Sequence, residues 1–336
     1  MDAQNNIILS VQGLKVHFPL TKGIAKKQIG YVRAVENISF DVERGKTVGI
    51  VGESGCGKTT TGKAILRMVK ATEGSIYLNG QNLLTMTPRE HDQIKRKVQM
   101  IFQDPYGSLD PRQKASSIIR EILREDGAHH TAKELDDEAL RLLTMVGLSE
   151  EIGERYPHEM SGGQRQRVGI ARALACNPEL IICDEPVSAL DVSIQAQIIN
   201  LLTRLQKELG LTYLFIAHDL AVVRHIADTV YVMYLGQFVE KMSSDEMFSS
   251  PLHPYTKALL SAIPVVDCEV EKTRKRIELS GEVPSPINCP SGCPFHPRCP
   301  YATDICREKM PDREVAFGDH EVACHHYKEL LPVKQP

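Results

Sequence analysis

No other stretch of this 336-residue chain limits its fold as much as Gly52-Glu53-Ser54-Gly55-Cys56-Gly57-Lys58-Thr59. The octet fits G-x-x-x-x-G-K-T, follows the apolar run Thr47–Val51 and leads into a helix predicted to start near Lys58. Its glycines let backbone N–H groups wrap phosphates without Cβ clashes, and the helix N-terminus adds a favourable dipole. Lys58 is placed to reach β- and γ-phosphates, and the Thr59 hydroxyl to coordinate Mg²⁺, with Thr60 beside it in the first turn. A glycine-rich turn formed by chance would lack the strand before it and the helix after it.

Further along, Leu180-Ile181-Ile182-Cys183 is an apolar run short enough for a buried parallel strand. Such a strand delivers Asp184 to its carboxyl end, where it can hold the Mg²⁺ shell. Glu185, one residue on, is placed to polarise an attacking water as a general base. An acidic turn after a strand means little alone. Preceded by a phosphate loop, it completes a nucleotide site.

The elements around these motifs alternate. Ile7–Phe18 and Val32–Val42 have the two-residue period of half-buried strands, with a solvated loop holding Lys22, Gly23, Lys26 and Lys27 between them. From Pro111 to Pro157 the composition turns helical; Leu140, Leu143 and Val146 share one face, and Gly147 offers a stop. Ile194, Ile198, Leu201, Leu202, Leu205 and Leu209 recur at helical spacing up to Gly210, and Leu211–Ala217 is the next strand. This alternation implies a parallel sheet with helices on its faces.

The length admits one large domain plus an appendage, or two modest domains. With 25% charged and 42% hydrophobic residues the chain reads as an ordinary globular protein. A net charge of −3 gives no electrostatic reason to expect nucleic acid. No apolar run approaches the roughly 20 residues that span a bilayer. Met1-Asp2-Ala3-Gln4-Asn5-Asn6 lacks the basic and apolar regions of a signal peptide. The expectation is a cytosolic chain whose membrane role, if any, comes through a partner.

The nine cysteines are unevenly placed. Cys56, Cys176, Cys183 and Cys268 are scattered, whereas Cys289, Cys293, Cys299, Cys306 and Cys324 crowd a tail whose texture changes after about residue 245. Their spacing is C-x₃-C-x₅-C-x₆-C-x₁₇-C, and six prolines lie between Pro284 and Pro300. In a cytosolic protein this points to a metal or cluster site more than to disulfides. Four thiolates suit zinc or an iron–sulfur cluster; zinc sites usually show paired C-x₂₋₄-C knuckles, and this tail offers only one. Cys183 reads as a small hydrophobe in its strand. Cys56, at a helix N-terminus, is placed for a lowered thiol pKa and ready alkylation.

Ser161-Gly162-Gly163-Gln164-Arg165-Gln166-Arg167 resembles the signature of ATP-binding-cassette (ABC) ATPases. The resemblance implies an α/β P-loop NTPase: a RecA-like parallel-sheet core with an antiparallel β subdomain, a helical subdomain at about 111–163, and a small Cys-rich C-terminal extension. The ATPase domain would span 1–245 and the extension 246–336. It also implies roles. Gly52 to Thr60, Glu53, Ser54, Gly55, Cys56 and Gly57 included, would bind ATP with Mg²⁺. Ser161, Gly162, Gly163 and Gln164 would open a helix aimed at the γ-phosphate of ATP on the opposite subunit. Gln103, in Ile101-Phe102-Gln103-Asp104-Pro105, matches the glutamine that senses Mg²⁺ and water. Ser188-Ala189-Leu190-Asp191 resembles the loop that crosses the dimer interface. His218 matches the histidine that contacts the γ-phosphate from a strand end. Phe18 matches the aromatic that stacks on adenine, with Tyr31 as competitor. No motif residue departs from the family pattern, which implies competent half-sites.

Val98–Arg112, Leu190–Asn200 and His253-Pro254-Tyr255-Thr256 further resemble the ATPases of oligopeptide and dipeptide importers, of the OppF/DppF type. That implies ATP hydrolysis coupled to translocation at the cytoplasmic face of the cell membrane, peripherally bound. The implied partners are a second, related ATPase subunit, two transmembrane permease subunits and an extracytoplasmic peptide-binding protein. Close relatives import nickel, glutathione or other small solutes. ABC ATPases of DNA repair or ribosomes typically carry two cassettes or long coiled-coil insertions, and this chain has neither. In the tail, Cys293, Cys299, Cys306 and Cys324 match ligands of a 4Fe–4S cluster. Cys289 stands where that pattern more often has proline and is the alternative ligand; zinc is the alternative metal. Folding the extension is the cluster's expected purpose.

Overall fold

The computed structural model describes residues 6–23, 27–125, 131–263 and 276–330; Lys26 and Cys268 lie outside the described residues. The chain divides into two compact units. One comprises Leu9–Asp41, Thr47–Leu84 and Ala217–Pro336, the other Met1–Ile8, Val42–Lys46 and Thr85–Ile216.

In the first unit an antiparallel sheet runs in the order Lys27–Glu43, Ile7–Lys22, Glu73–Leu78, Gln81–Asn82. Leu9 and Val11 are buried, and so are Leu14 and Val16, although Leu14 comes three positions after Val11. A strict two-residue period would turn the second pair outward. The register slips between Gln12 and Lys15, where Gly13 takes φ 56°, and this bulge keeps both pairs inside. The two long strands extend past the expected loop, so Lys22 and Lys27 are strand residues. Their outer ends are mostly exposed. Backbone pairing carries them on, where apolar alternation gives no signal.

The same unit holds Thr47–Val51, buried throughout and parallel to Thr229–Tyr234. That strand turns back through Leu235 and Gly236, both at positive φ, into Gln237–Ser243, the backbone a tight hairpin requires. The tail then adds His320–Val322 and Glu314–Phe317 beside it, covering a sheet edge that would otherwise stand open.

In the second unit, Val98–Ile101, Leu180–Asp184 and Thr212–Ala217 form a parallel array, with Leu180 opposite both Val98 and Thr212. Every residue of the latter two strands is buried, as their apolar runs imply. The helices Ala115–Arg124, Ala132–Met145, Gly162–Leu174 and Val192–Leu209 accompany them. Thr131 and Glu134 close a capping box on the second of these. Gly147 and Gly210 sit at positive φ where the stops are expected. Leu143 and Val146 reach the core, whereas Leu140 is half-buried.

Candidate active site

The phosphate loop leaves the buried strand Thr47–Val51 and enters the helix Lys58–Ile65. Gly57 precedes that helix at φ 112° with no side-chain cap, and no acid lies in the first turn. The first amides of the helix therefore present positive potential suited to an anion. A Cβ at Gly52 would lie 2.2 Å from the Met233 carbonyl oxygen, and one at Gly57 2.2 Å from that of Ala34, so neither position admits a side chain. The Lys58 ammonium is buried and donates to the carbonyls of Gly52 (2.8 Å) and Glu53 (3.0 Å). Ser54 and Gly55 are exposed, and Thr59 and Thr60 half-buried.

Cys56 departs from expectation. Burial pushes its thiol pKa up, and the nearby Lys58 charge only partly opposes this. The helix N-terminus is legible in the sequence; the desolvation that outweighs it is not. Cys183 is likewise pushed well up by complete burial, as a packing residue should be.

In the other unit, Asp184 ends its strand buried and Glu185 follows at φ 46°, an uncommon backbone for a non-glycine residue. Gln103 Nε2 donates to Glu185 Oε2 at 3.0 Å. Ser188 Oγ donates back to the Glu185 carbonyl at 3.1 Å. Asp191 caps the Val192–Leu209 helix by accepting from the Ile194 amide at 3.0 Å, and Gln195 Nε2 donates to the Val187 and Leu190 carbonyls. The turn after Glu185 is thereby held at both ends.

Ser161 is the N-cap of Gly162–Leu174; its hydroxyl accepts from the Gln164 amide and Gln164 Oε1 accepts from the Ser161 amide. A Cβ at Gly163 would lie 2.7 Å from Ile194 Cγ2, and one at Gly162 3.2 Å from Leu190 Cδ2. Glycine here lets the helix start lie directly against the 188–194 segment. Two arginines of this helix, not singled out from sequence, brace the Gln103 segment. Arg165 lies over the Tyr106 ring (5.6 Å) and Arg172 over Phe102 (5.7 Å), and Arg172 also donates to the Ser108 carbonyl.

His218 is exposed just after Thr212–Ala217, followed by Asp219, which caps the next helix. Phe18 is 40% exposed and Tyr31 46%, so both rings are accessible to a stacking base and exposure does not choose between them.

Among the described residues no group of three or more His, Cys, Asp or Glu side chains is gathered to hold a metal ion. The expected metal centre, 4Fe–4S or zinc, is therefore not assembled among the described residues. The tail thiols are nonetheless mutually felt. Burial pushes Cys293 up to about 12, and the charges of Cys324, Cys306 and Cys299 add to this. Burial likewise pushes Cys324 up to about 11, with Cys299 and Cys306 contributing. Cys299 is raised by burial and then by Cys306. Cys289 is raised by burial, and the charges acting on it are Arg33 and Glu36.

What sets this constellation apart from other phosphate-loop proteins is a capped Ser-Gly-Gly helix braced on the glutamine segment that reaches Glu185. That combination defines the ATP-binding-cassette class. Residues 35–188 match the family model described as ABC transporter, and residues 239–306 that of the oligopeptide/dipeptide transporter C-terminal region. The chain is 51% identical over 326 residues to the oligopeptide transport ATP-binding protein AppF of Bacillus subtilis (strain 168), covering 97% of this chain and 99% of that one. It is 49% identical to the oligopeptide transport ATP-binding protein OppF of Salmonella typhimurium, covering 96% of each. The fold superposes on the dimeric ATP-binding cassette MJ0796, in a post-hydrolysis state bound to ADP and Pi, with a TM-score of 0.63 at 28% identity, over 70% of this chain and 98% of that one. This chain belongs to the ATP-binding proteins of the oligopeptide/dipeptide branch of ABC transporters, and it is an ATP-hydrolysing subunit of the α/β cassette fold.

Proposed function

We propose that this chain powers import of di- or oligopeptides, working from the cytoplasmic face of the membrane. It would pair with a related ATPase subunit beneath two permease subunits, fed by an extracytoplasmic peptide-binding protein. The observation that carries the cargo class is the match of residues 239–306, which lies beyond the part matched as a cassette. No helix among the described residues is long and apolar enough to cross a membrane, which fits a peripheral subunit.

In the reaction, Lys58 and the amides of residues 54–60 hold the β- and γ-phosphates, and Phe18 stacks on adenine. Thr59, Gln103 and Asp184 are the residues to hold Mg²⁺, which when bound neutralises phosphate charge. Glu185 orients a water in line with the γ-phosphorus and accepts its proton as the new P–O bond forms and the bond to ADP breaks. His218 steadies the γ-phosphate. Ser161, Gly162, Gly163 and Gln164 close the site on the opposite subunit, so loss of the γ-phosphate lets the pair open.

For the extension, the 4Fe–4S reading assigns Cys293, Cys299, Cys306 and Cys324 as ligands, with Cys289 in reserve. That reading rests on the spacing C-x₃-C-x₅-C-x₆-C-x₁₇-C and its likeness to the subfamily's ligand pattern, with zinc as the alternative. Iron and sulfide content with broad absorbance near ~400 nm would support it; a protein with neither would remove it.

Proteoliposomes holding the chain with its membrane partners and binding protein test the function. ATP-dependent uptake of labelled peptide is the expected result. Uptake of nickel or glutathione without peptide would keep the motor and replace the cargo.

A further inference from the structure

The Cys-rich tail reaches the phosphate loop. Arg298, 245 residues from Glu53 in sequence, sets Nη1 2.8 Å and Nη2 3.2 Å from the two Glu53 carboxylate oxygens. The Arg298 side chain is only 8% exposed. The Glu53 amide donates to the hydroxyl of fully buried Tyr255 at 2.8 Å, on the helix Pro254–Ser261. The Glu53 carbonyl accepts from Lys58 Nζ. Glu53 is thus held by its amide and carboxylate from the tail, and by its carbonyl from the phosphate-binding lysine.

The holding groups are themselves fixed. The Tyr255 ring packs on Tyr234 and Phe295 at 4.7 and 5.4 Å between centroids. Arg298 ends a turn in which His296 N–H donates to the Cys293 carbonyl and Cys299 N–H to that of His296. The two-pronged pair is of the strong, oriented kind that lysine cannot reproduce. Burial, the largest single influence, pulls the guanidinium pKa down, yet Glu53 and Tyr234 together outweigh it and hold Arg298 above its ordinary range.

We infer that Arg298 and Tyr255 are positioning residues for ATP binding: through Glu53 they hold the phosphate loop, and Lys58 with it, in the binding-competent shape. Freed from them, the loop samples other shapes, and apparent affinity falls by the fraction that stays competent. The inference rests on the loop being the ATP site.

The test uses the full-length chain, with trinitrophenyl-ATP titration for affinity and stoichiometry and mass-spectrometric mapping of Cys56 alkylation without nucleotide. Arg298→Met is expected to weaken binding about tenfold at unchanged stoichiometry and to speed Cys56 alkylation severalfold. Arg298→Lys should recover part of both. Tyr255→Phe, which deletes only the hydroxyl, should weaken binding by about threefold. Glu53→Gln combined with Arg298→Met should be little worse than Arg298→Met alone. Lowered stoichiometry at unchanged affinity would mean the tail merely supports folding, and would overturn the inference. So would unchanged affinity and labelling in Arg298→Met and Tyr255→Phe. Failure of the wild-type chain to bind the analogue would instead remove the ATP-site reading.

Discussion

The Gln103 side-chain amide lies 3.0 Å from the Glu185 carboxylate, and the segment carrying Gln103 is gripped by Arg165 and Arg172 of the Ser161-capped helix. A shift of that helix is thus passed to the residue proposed to act on water through a single side-chain bond. Gln103→Ala should lower ATP turnover by about tenfold and reduce the transport obtained per ATP. Phosphate release and peptide uptake measured on the same proteoliposomes check this; equal transport per ATP in variant and wild type would detach Gln103 from coupling.

Glu185→Gln removes the proton acceptor while keeping the shape and the bond partner of Gln103. ATP hydrolysis should drop by about a hundredfold or more, with ATP binding retained. Single-turnover hydrolysis beside equilibrium ATP binding separates the two. Near-normal turnover would take Glu185 out of the role.

Gly52→Ala places a methyl 2.2 Å from the Met233 carbonyl oxygen, on a backbone at φ 154°. The atom it meets is backbone and cannot rotate away. Loss of stability of about 2 kcal/mol or more is expected, with ATP binding lost. Urea denaturation and nucleotide titration check both; a variant that melts and binds as the wild type would contradict the packing described.

The parts of this site written in local sequence are legible there. The strands Thr47–Val51 and Leu180–Asp184 are continuous apolar runs, and the phosphate loop needs its glycines at fixed offsets. Ser161 and Gln164 form a capping box within four residues. What escaped depends on distant partners or on burial. Arg165 and Arg172 look like surface charges until Phe102, Tyr106 and Ser108 are placed beside them. Cys56 shows its helix terminus in the sequence but not its desolvation. Arg298 lies among prolines and cysteines, far along the chain from the loop it touches. The strand ends near Lys22 and Lys27 carry no apolar period, because backbone pairing alone extends them.

His253 gives the fold a pH dependence. Burial depresses its pKa to about 4, despite the opposing charge of Glu240, and its neutral Nδ1 accepts the Tyr255 amide at 3.1 Å. The unfolded chain binds this proton near the ordinary value of 6.5, so between pH 6.5 and 4 it holds more protons than the folded one. Stability from this group is complete above pH 6.5 and declines as pH falls towards 4, by up to about 3 kcal/mol. His253→Asn keeps a capping acceptor without titrating. Urea midpoints at pH 7 and 4.5 should converge in that variant relative to the wild type; an unchanged difference would rule His253 out.

Cys56 should alkylate slowly at neutral pH. Its thiol is 5% exposed and its pKa lies above the ordinary 9.0, so the thiolate is scarcer at pH 7 than in a free thiol. The rate should climb steadily from pH 7 to beyond 9. Iodoacetamide labelling mapped to Cys56, against glutathione as reference, measures it. Faster labelling than glutathione at pH 7 would show an activated thiol instead.

In the proposed mechanism, ATP on the phosphate loop of one subunit is closed by the Ser161 helix of its neighbour. A structure of the assembled transporter with Glu185→Gln and Mg²⁺-ATP tests it most directly. The γ-phosphate is expected between Lys58 of one ATPase subunit and the Ser-Gly-Gly helix start of the other. A bound triphosphate with Ser161–Gly163 remote from any nucleotide would contradict it.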